Sequence, residues 1–385
     1  MNLTKITLEL IMNQIDEILS RKIHNRISRQ KIEPITTIQQ IIKECSSDLG
    51  IKEPKLIFCD TLRRSFNAFK LKSEHYLLYD NSLIESLYIF NHIAMDTSNT
   101  DNMDKYFYKL FAEELICGGD LIHSLYFSGK YRLYDYTFVT DKTQNILEQS
   151  TRQIYFLMGH ELMHISLSHN KDNSNNKIPD EFVKVIKVAT RILMEKFVKD
   201  DSSELEVLSK VSGYFLKEIA DNFDDYMNKI EKSERFLHFV EECYCDYTGL
   251  KLLLEHYSGA EKSIAAITNT LNFLIIFESI RSDLFFGIKE LNSITKEAHD
   301  TLYYSVLRVQ VLLIILQMNS SELIKLSYNE IKDCSPITER LEHFIKSLPS
   351  DKSMSVIDDS LLPNLGKETL ISYILKSLSL GIKLV

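Results

Sequence analysis

The stretch GHELMHISLSH, residues 159 to 169, sets three histidines and a glutamate into an otherwise apolar run. On a helix His160 and His164 project from one face a turn apart, while Leu162, Ile165 and Leu167 turn toward a core. The same eleven residues thus specify a buried helix and, along one edge, a cluster of nitrogen donors. The polar segment HNKDNSNNKIPD, 169 to 180, ends that helix, which begins near residue 143.

The spacing carries chemistry. Two imidazoles four residues apart can share one Zn²⁺, and Glu161 beside them can move a proton at a water held there, the logic of the H-E-x-x-H pattern. The pentapeptide needs a third ligand. The metzincin pattern would require Gly at 167 and His at 170, where this chain has Leu167 and Asn170, and His169 falls one position short. A better candidate lies 78 positions past His164, in VEECYCDYTGLKLLL. Glu242, Asp246 and Gly249 fall at i, i+4 and i+7, on one helix face. Glu242 completes a His₂Glu set, Asp246 accepts the free ring N–H of a ligand histidine, and Gly249 permits a close helix approach. Glu241 points about 100° off that face and loses as a ligand. Cys243 and Cys245 have the wrong spacing for a paired-cysteine site and read as buried thiols.

Around this motif the chain is helical in character, with only 11 Gly and 6 Pro, 44% apolar residues and long amphipathic stretches of Ile, Leu, Lys and Glu. The expected fold is mainly α, of the α+β type. Helices are predicted over 2–30, 35–48, 82–94, 104–117, 143–168, 181–199, 203–231 and 233–257, with a helical C-terminal third. A small antiparallel sheet is predicted from KLIFCDT (55–61), RSFNAFKLK (64–72) and HYLLYD (75–80), and YRLYDYTFV (131–139) reads as a further strand pair. The expected organisation is N-terminal helices over 1–50, a core over 51–257 and a helical region over 258–385.

The net charge of −9 is spread along the chain and argues against a nucleic-acid partner. The basic run RKIHNRISRQK (21–31) reads as the solvated end of a helix. Glu9, Asp16 and Glu17 interrupt the N-terminal apolar stretch, so no export signal is expected, and runs such as VLLIIL (311–316) are too short to cross a bilayer. With six cysteines expected to stay as thiols, a cytoplasmic location without membrane partners follows.

HELMH followed by ECYCDYTGL resembles the gluzincin metallopeptidases, in particular soluble relatives of their Ste-type and Lit-type members. SFNAFKLKSEHYLLYD is similar to the Asn-Ala-Phe edge strand and following strand that precede the zinc helix in that clan. The resemblance covers about 55–90, 150–170 and 235–255. It implies a zincin-like fold, one Zn²⁺ per chain, His160, His164 and Glu242 as ligands, Glu161 as catalytic residue and a protein or peptide substrate paired against Asn67 and Ala68. CSPITERL (334–341) is similar to a His-Pro-Pro-x-x-Glu-Arg-Leu stretch of the Ste-type sequences, with Cys334 in place of His, which points to Arg340 as an oxyanion or substrate contact. His299, Tyr247, Tyr303 and Tyr304 are rivals for that role. Lit-type peptidases act in phage exclusion once triggered, so an activating partner is implied too. The alternative is a zinc-stapled binding module without catalysis, closed by a fourth ligand such as Cys243, Cys245 or His238.

Overall fold

A computed structural model describes residues 26–27, 35–60, 64–138 except 65 and 72, 142–169, 177–199, 223–287, 307–315 except 313, 335–348, and positions 370, 373, 374 and 378. These residues are mainly helical with one small sheet. The chain forms two compact units. One comprises residues 1–37, 54–151 and 331–385; the other comprises 38–53 and 152–330.

The first unit holds the sheet. Its strands are β1 (Arg26–Ile27), β2 (Lys55–Asp60), β3 (Asn67–Leu71) and β4 (Glu74–Asp80), in spatial order β1-β2-β4-β3. Tyr76, Leu77, Leu78 and Tyr79 are all buried, so β4 is the central strand on both faces. The sheet is mixed where an antiparallel one was expected: β3 and β4 form the antiparallel hairpin, but β2 runs parallel to β4, with Ile57 opposite Leu78. Short polar spacers mark strand ends; they do not say that β3 would step outside β4 and leave β2 to pair with it from the other side. Asn67 and Ala68 therefore sit on the strand that ends the sheet order.

β4 runs directly into α2 (Asn81–Met95), with Asp80 as both last strand residue and N-cap, its carboxylate accepting from the Ser82 N–H at 2.9 Å. Then come α3 (Thr100–Gly118), closed by Gly119 at φ 86°, and α4 (Leu121–Tyr131), capped by Asp120. The strand pair expected over 131–139 is not present in the described residues: Tyr131 ends α4, and 132–138 form no strand. Its alternating aromatics instead reach into the helices. Lys105 Nζ lies over the Tyr131 and Tyr136 rings, and His92 stacks on Phe138 at 4.1 Å.

The second unit is helical. α1 (Ile35–Asp48) enters it at residue 38, and α5 (Thr143–His169) enters at Arg152. It continues with α6 (Asp180–Lys199), α7 (Phe223–Ile230), α8 (Glu234–His256), α9 (Ala260–Gly287) and helical residues 307–312. Arg152 ties α5 to the start of α9 through Ser263 Oγ at 2.6 Å and the Ser258 carbonyl at 2.8 Å. An apolar cluster joins α6, α8 and 307–315, with Ile186, Phe236, Phe239, Val240, Leu307 and Val311 at its centre. α10 (Ser335–Ser347) belongs to the first unit. Of the predicted helices, 203–231 is described only as α7, and 2–30 lies outside the described residues except at Arg26–Ile27, which is strand.

No helix among the described residues is long and apolar enough to cross a membrane.

Candidate metal centre

Two helices build the site. α5 brings His160 and His164; α8, started by Ser233 capping the Phe236 N–H at 3.2 Å, brings Glu241, Glu242 and Asp246. They cross where Gly159 meets Gly249. A Cβ on Gly249 would stand 2.7 Å from the Phe156 carbonyl oxygen and 3.1 Å from the His160 nitrogen. Any side chain larger than hydrogen would force the helices apart, so the predicted close approach of Gly249 is met, and Gly159 is its counterpart. Leu162 and Ile165 face the core, both nearly inaccessible.

At this crossing three donors converge. His160 Nε2 is 3.2 Å from His164 Nε2, His164 Nε2 is 3.2 Å from Glu242 Oε1, and His160 Nε2 is 3.5 Å from Glu242 Oε2. His160, His164 and Glu242 are the one group among the described residues whose ligand atoms can hold a metal ion in common. A tetrahedral ion with bonds of about 2.0–2.2 Å would set its donors roughly 3.3–3.6 Å apart. The observed separations of 3.2, 3.2 and 3.5 Å lie at or just below that spacing.

The outer ring nitrogens are also engaged. His160 Nδ1 lies 2.9 Å from Asp246 Oδ1, the contact expected of Asp246, and His164 Nδ1 lies 3.0 Å from Glu241 Oε1. An ionised carboxylate only accepts, so each Nδ1 must carry the hydrogen. In the neutral imidazoles both Nε2 lone pairs then point at each other and at Glu242, with no donor between them. A cation satisfies all three at once. The donor set of two imidazoles and one carboxylate suits zinc, whereas calcium and magnesium prefer oxygen alone.

Behind the ligands stands Arg308, which the sequence reading did not single out. Its Nε and Nη2 donate to Asp246 at 2.9 and 2.8 Å, and its Nη1 lies 2.9 Å from Glu242 Oε2. Burial alone would raise the Glu242 and Asp246 pKa values. Arg308 and the imidazoles outweigh it, holding Glu242 well below the usual carboxylate range and Asp246 below its ordinary value. Burial likewise opposes charge on the imidazoles, yet Asp246 and Glu242 lift His160 to about 9, and Cys245, Glu241 and Glu242 lift His164 as well. The whole arrangement favours positive charge where the three donors meet. Three carboxylates stand against one guanidinium, so a divalent ion would balance the set.

The remaining predicted residues are placed as follows. Glu161 is half-buried on the turn between the histidines. Cys243 belongs to the apolar cluster, Cys245 is fully buried, and burial pushes both thiols up, Cys245 to about 12. His238 is 70% exposed with Nε2 3.8 Å from Glu242 Oε1. Tyr247 packs against the apolar cluster beside Phe182. Asn67 and Ala68 on β3, and Arg340 on α10, belong to the other unit. There Arg340 donates Nε and Nη2 to Asp104 at 2.8 and 2.5 Å. His299, Tyr303, Tyr304 and Cys334 lie outside the described residues.

No family model, curated protein or solved structure matches this chain.

Proposed function

We propose that this protein is a zinc-dependent endopeptidase of the cytoplasm, of restricted or triggered specificity. The observation that carries the reading is the convergence of His160 Nε2, His164 Nε2 and the Glu242 carboxylate at 3.2–3.5 Å, with every outer nitrogen already paired to an acid. His160, His164 and Glu242 would hold one ion. Zinc bound there supplies a Lewis acid that polarises a peptide carbonyl and makes a water nucleophilic near neutral pH.

The protein's own residues do the rest. The Glu161 carboxylate removes the proton from the attacking water and returns it to the leaving amine. Asp246 and Glu241 hold the imidazole planes, and Arg308 keeps Glu242 and Asp246 anionic. Pairing of an extended peptide along Asn67 and Ala68 of β3 rests on the gluzincin resemblance alone. Restriction of the activity, with an activating partner, phage exclusion and a role for Arg340, rests on the gluzincin resemblance alone.

A second reading has one observation in its favour. Arg308 contacts Glu242 Oε2 directly, as befits a centre that staples helices without catalysis. One experiment separates the two. Wild-type and Glu161→Gln proteins are purified for metal analysis, and cells producing each are profiled for new protein N-termini before and after phage infection. We expect one zinc in both proteins and new N-termini with wild type only. Zinc in both with identical N-termini would leave the staple, and no zinc in either would overturn the metal centre itself.

A further inference from the structure

The two ligand histidines are held in unequal ways. His160 leans on Asp246, a carboxylate 1% exposed and fixed from behind by the Arg308 fork. His164 leans on Glu241, whose side chain is 40% exposed, and His164 itself is 21% exposed against 8% for His160. Glu241 is the residue that helical spacing rejects as a ligand: it projects about 100° from the Glu242 face, and that offset carries its carboxylate past the ion position to the far side of the His164 ring. One centre therefore has a sealed side and a solvent-facing side.

We propose that Glu241 is the positioning residue of His164, and that the His164–Glu241 pair is the side through which the metal ion enters and leaves. Exchange of an ion requires one ligand to swing away first. His160 cannot do so without breaking a buried hydrogen bond to an acid that Arg308 holds in place. His164 parts from a carboxylate that water can solvate in its stead, besides its contact with the Cys245 thiol. While the pair is intact, Glu241 fixes the ring plane and the tautomer that directs Nε2 at the ion.

The inference rests on the metal-binding part of the proposed function and is independent of proteolysis. The test uses the whole protein loaded with Zn²⁺, then with Co²⁺. Glu241→Ala is expected to weaken zinc binding about 10–100-fold in chelator competition, with a faster release rate accounting for most of the loss. Glu241→Gln, which keeps an acceptor oxygen, should fall between Ala and wild type. In the cobalt protein, two exchangeable N–H proton resonances shifted far from the diamagnetic range are expected, one from each ligand imidazole. Glu241→Ala should erase the one from His164 by solvent exchange and keep the one from His160. Glu241 is partly exposed, so the variant should retain wild-type helicity. Zinc release at the wild-type rate from Glu241→Ala, or two intact cobalt-shifted resonances, would overturn the inference while leaving the metal centre standing. A wild-type protein that binds neither ion would instead sink the function proposed above.

Discussion

In metal-free protein, Arg308→Met should lower stability by about 3–5 kcal/mol, a large fraction of what a domain has to lose. The guanidinium is 19% exposed and contacts two carboxylates, Asp246 at 1% and Glu242 at 19% exposure. Methionine restores much of the volume, so a cavity is the lesser effect. What remains is a pair of desolvated acids that have lost the guanidinium and keep only the imidazoles as counter-charge. Saturating zinc should recover part of the loss, because a divalent ion beside Glu242 supplies the missing charge. Urea unfolding with and without zinc measures both quantities. Metal-free curves for wild type and Arg308→Met that agree within about 1 kcal/mol would show that the fork does not hold the acids in place.

Gly249→Ala sets two effects against each other. Alanine in place of a helical glycine normally gains about 0.8–1.0 kcal/mol of helix propensity. Here the new methyl would stand 2.7 Å from the Phe156 carbonyl oxygen and 3.1 Å from the His160 nitrogen, both backbone atoms that cannot rotate away. Overpacking of that kind costs about 1–3 kcal/mol, so the clash should win. The displacement falls at the level of the ligands and moves Glu242 away from the two imidazoles. A drop in zinc affinity should therefore accompany the lower melting temperature. Gly159→Ala is the control: its Cβ would meet the Gly249 Cα at 3.1 Å and the movable Leu252 Cδ1 at 3.3 Å, so its penalty should roughly cancel the propensity gain. Zinc binding by Gly249→Ala equal to wild type would refute the close crossing as the determinant of ligand spacing.

The candidate site was legible wherever one helix carried its own spacing. His160 and His164 at i and i+4, and Glu242, Asp246 and Gly249 at i, i+4 and i+7, needed no knowledge of the fold to be placed on common faces, and the structure brings them together. Arg308 was not legible by spacing, because it lies 62 residues beyond Asp246 in sequence. Its one signal was a lone cation within the apolar run VLRVQVLLIIL, 306 to 316, where a charge needs a buried partner. Glu241 was found but assigned no task, since a test for metal ligands overlooks residues that serve the ligands. In the fold, the helix boundaries of α1, α2, α5, α6 and α8 followed from apolar periodicity. The parallel pairing of β2 with β4 did not, because alternation marks a strand and is silent about its neighbours. The aromatics from Tyr131 to Phe138 misled for a related reason: anchoring on the rings and cations of helices gives the same alternation as a sheet does.

The two glycines have one more consequence. Their backbones meet directly, and the apolar cluster that holds α6, α8 and residues 307–315 together contains no metal ligand. Backbone contact and apolar packing thus set the separation of the helices, so the energy of zinc binding is not expected to go into assembling them. Small zinc domains behave otherwise, unfolding as their ion is removed. Here a chelator should yield a stripped protein with unchanged helical circular dichroism, and added zinc or cobalt should refill it. A collapse of that signal on stripping would mean that the ion is part of the scaffold. Its retention would make the centre a socket, cut to size in advance and reusable.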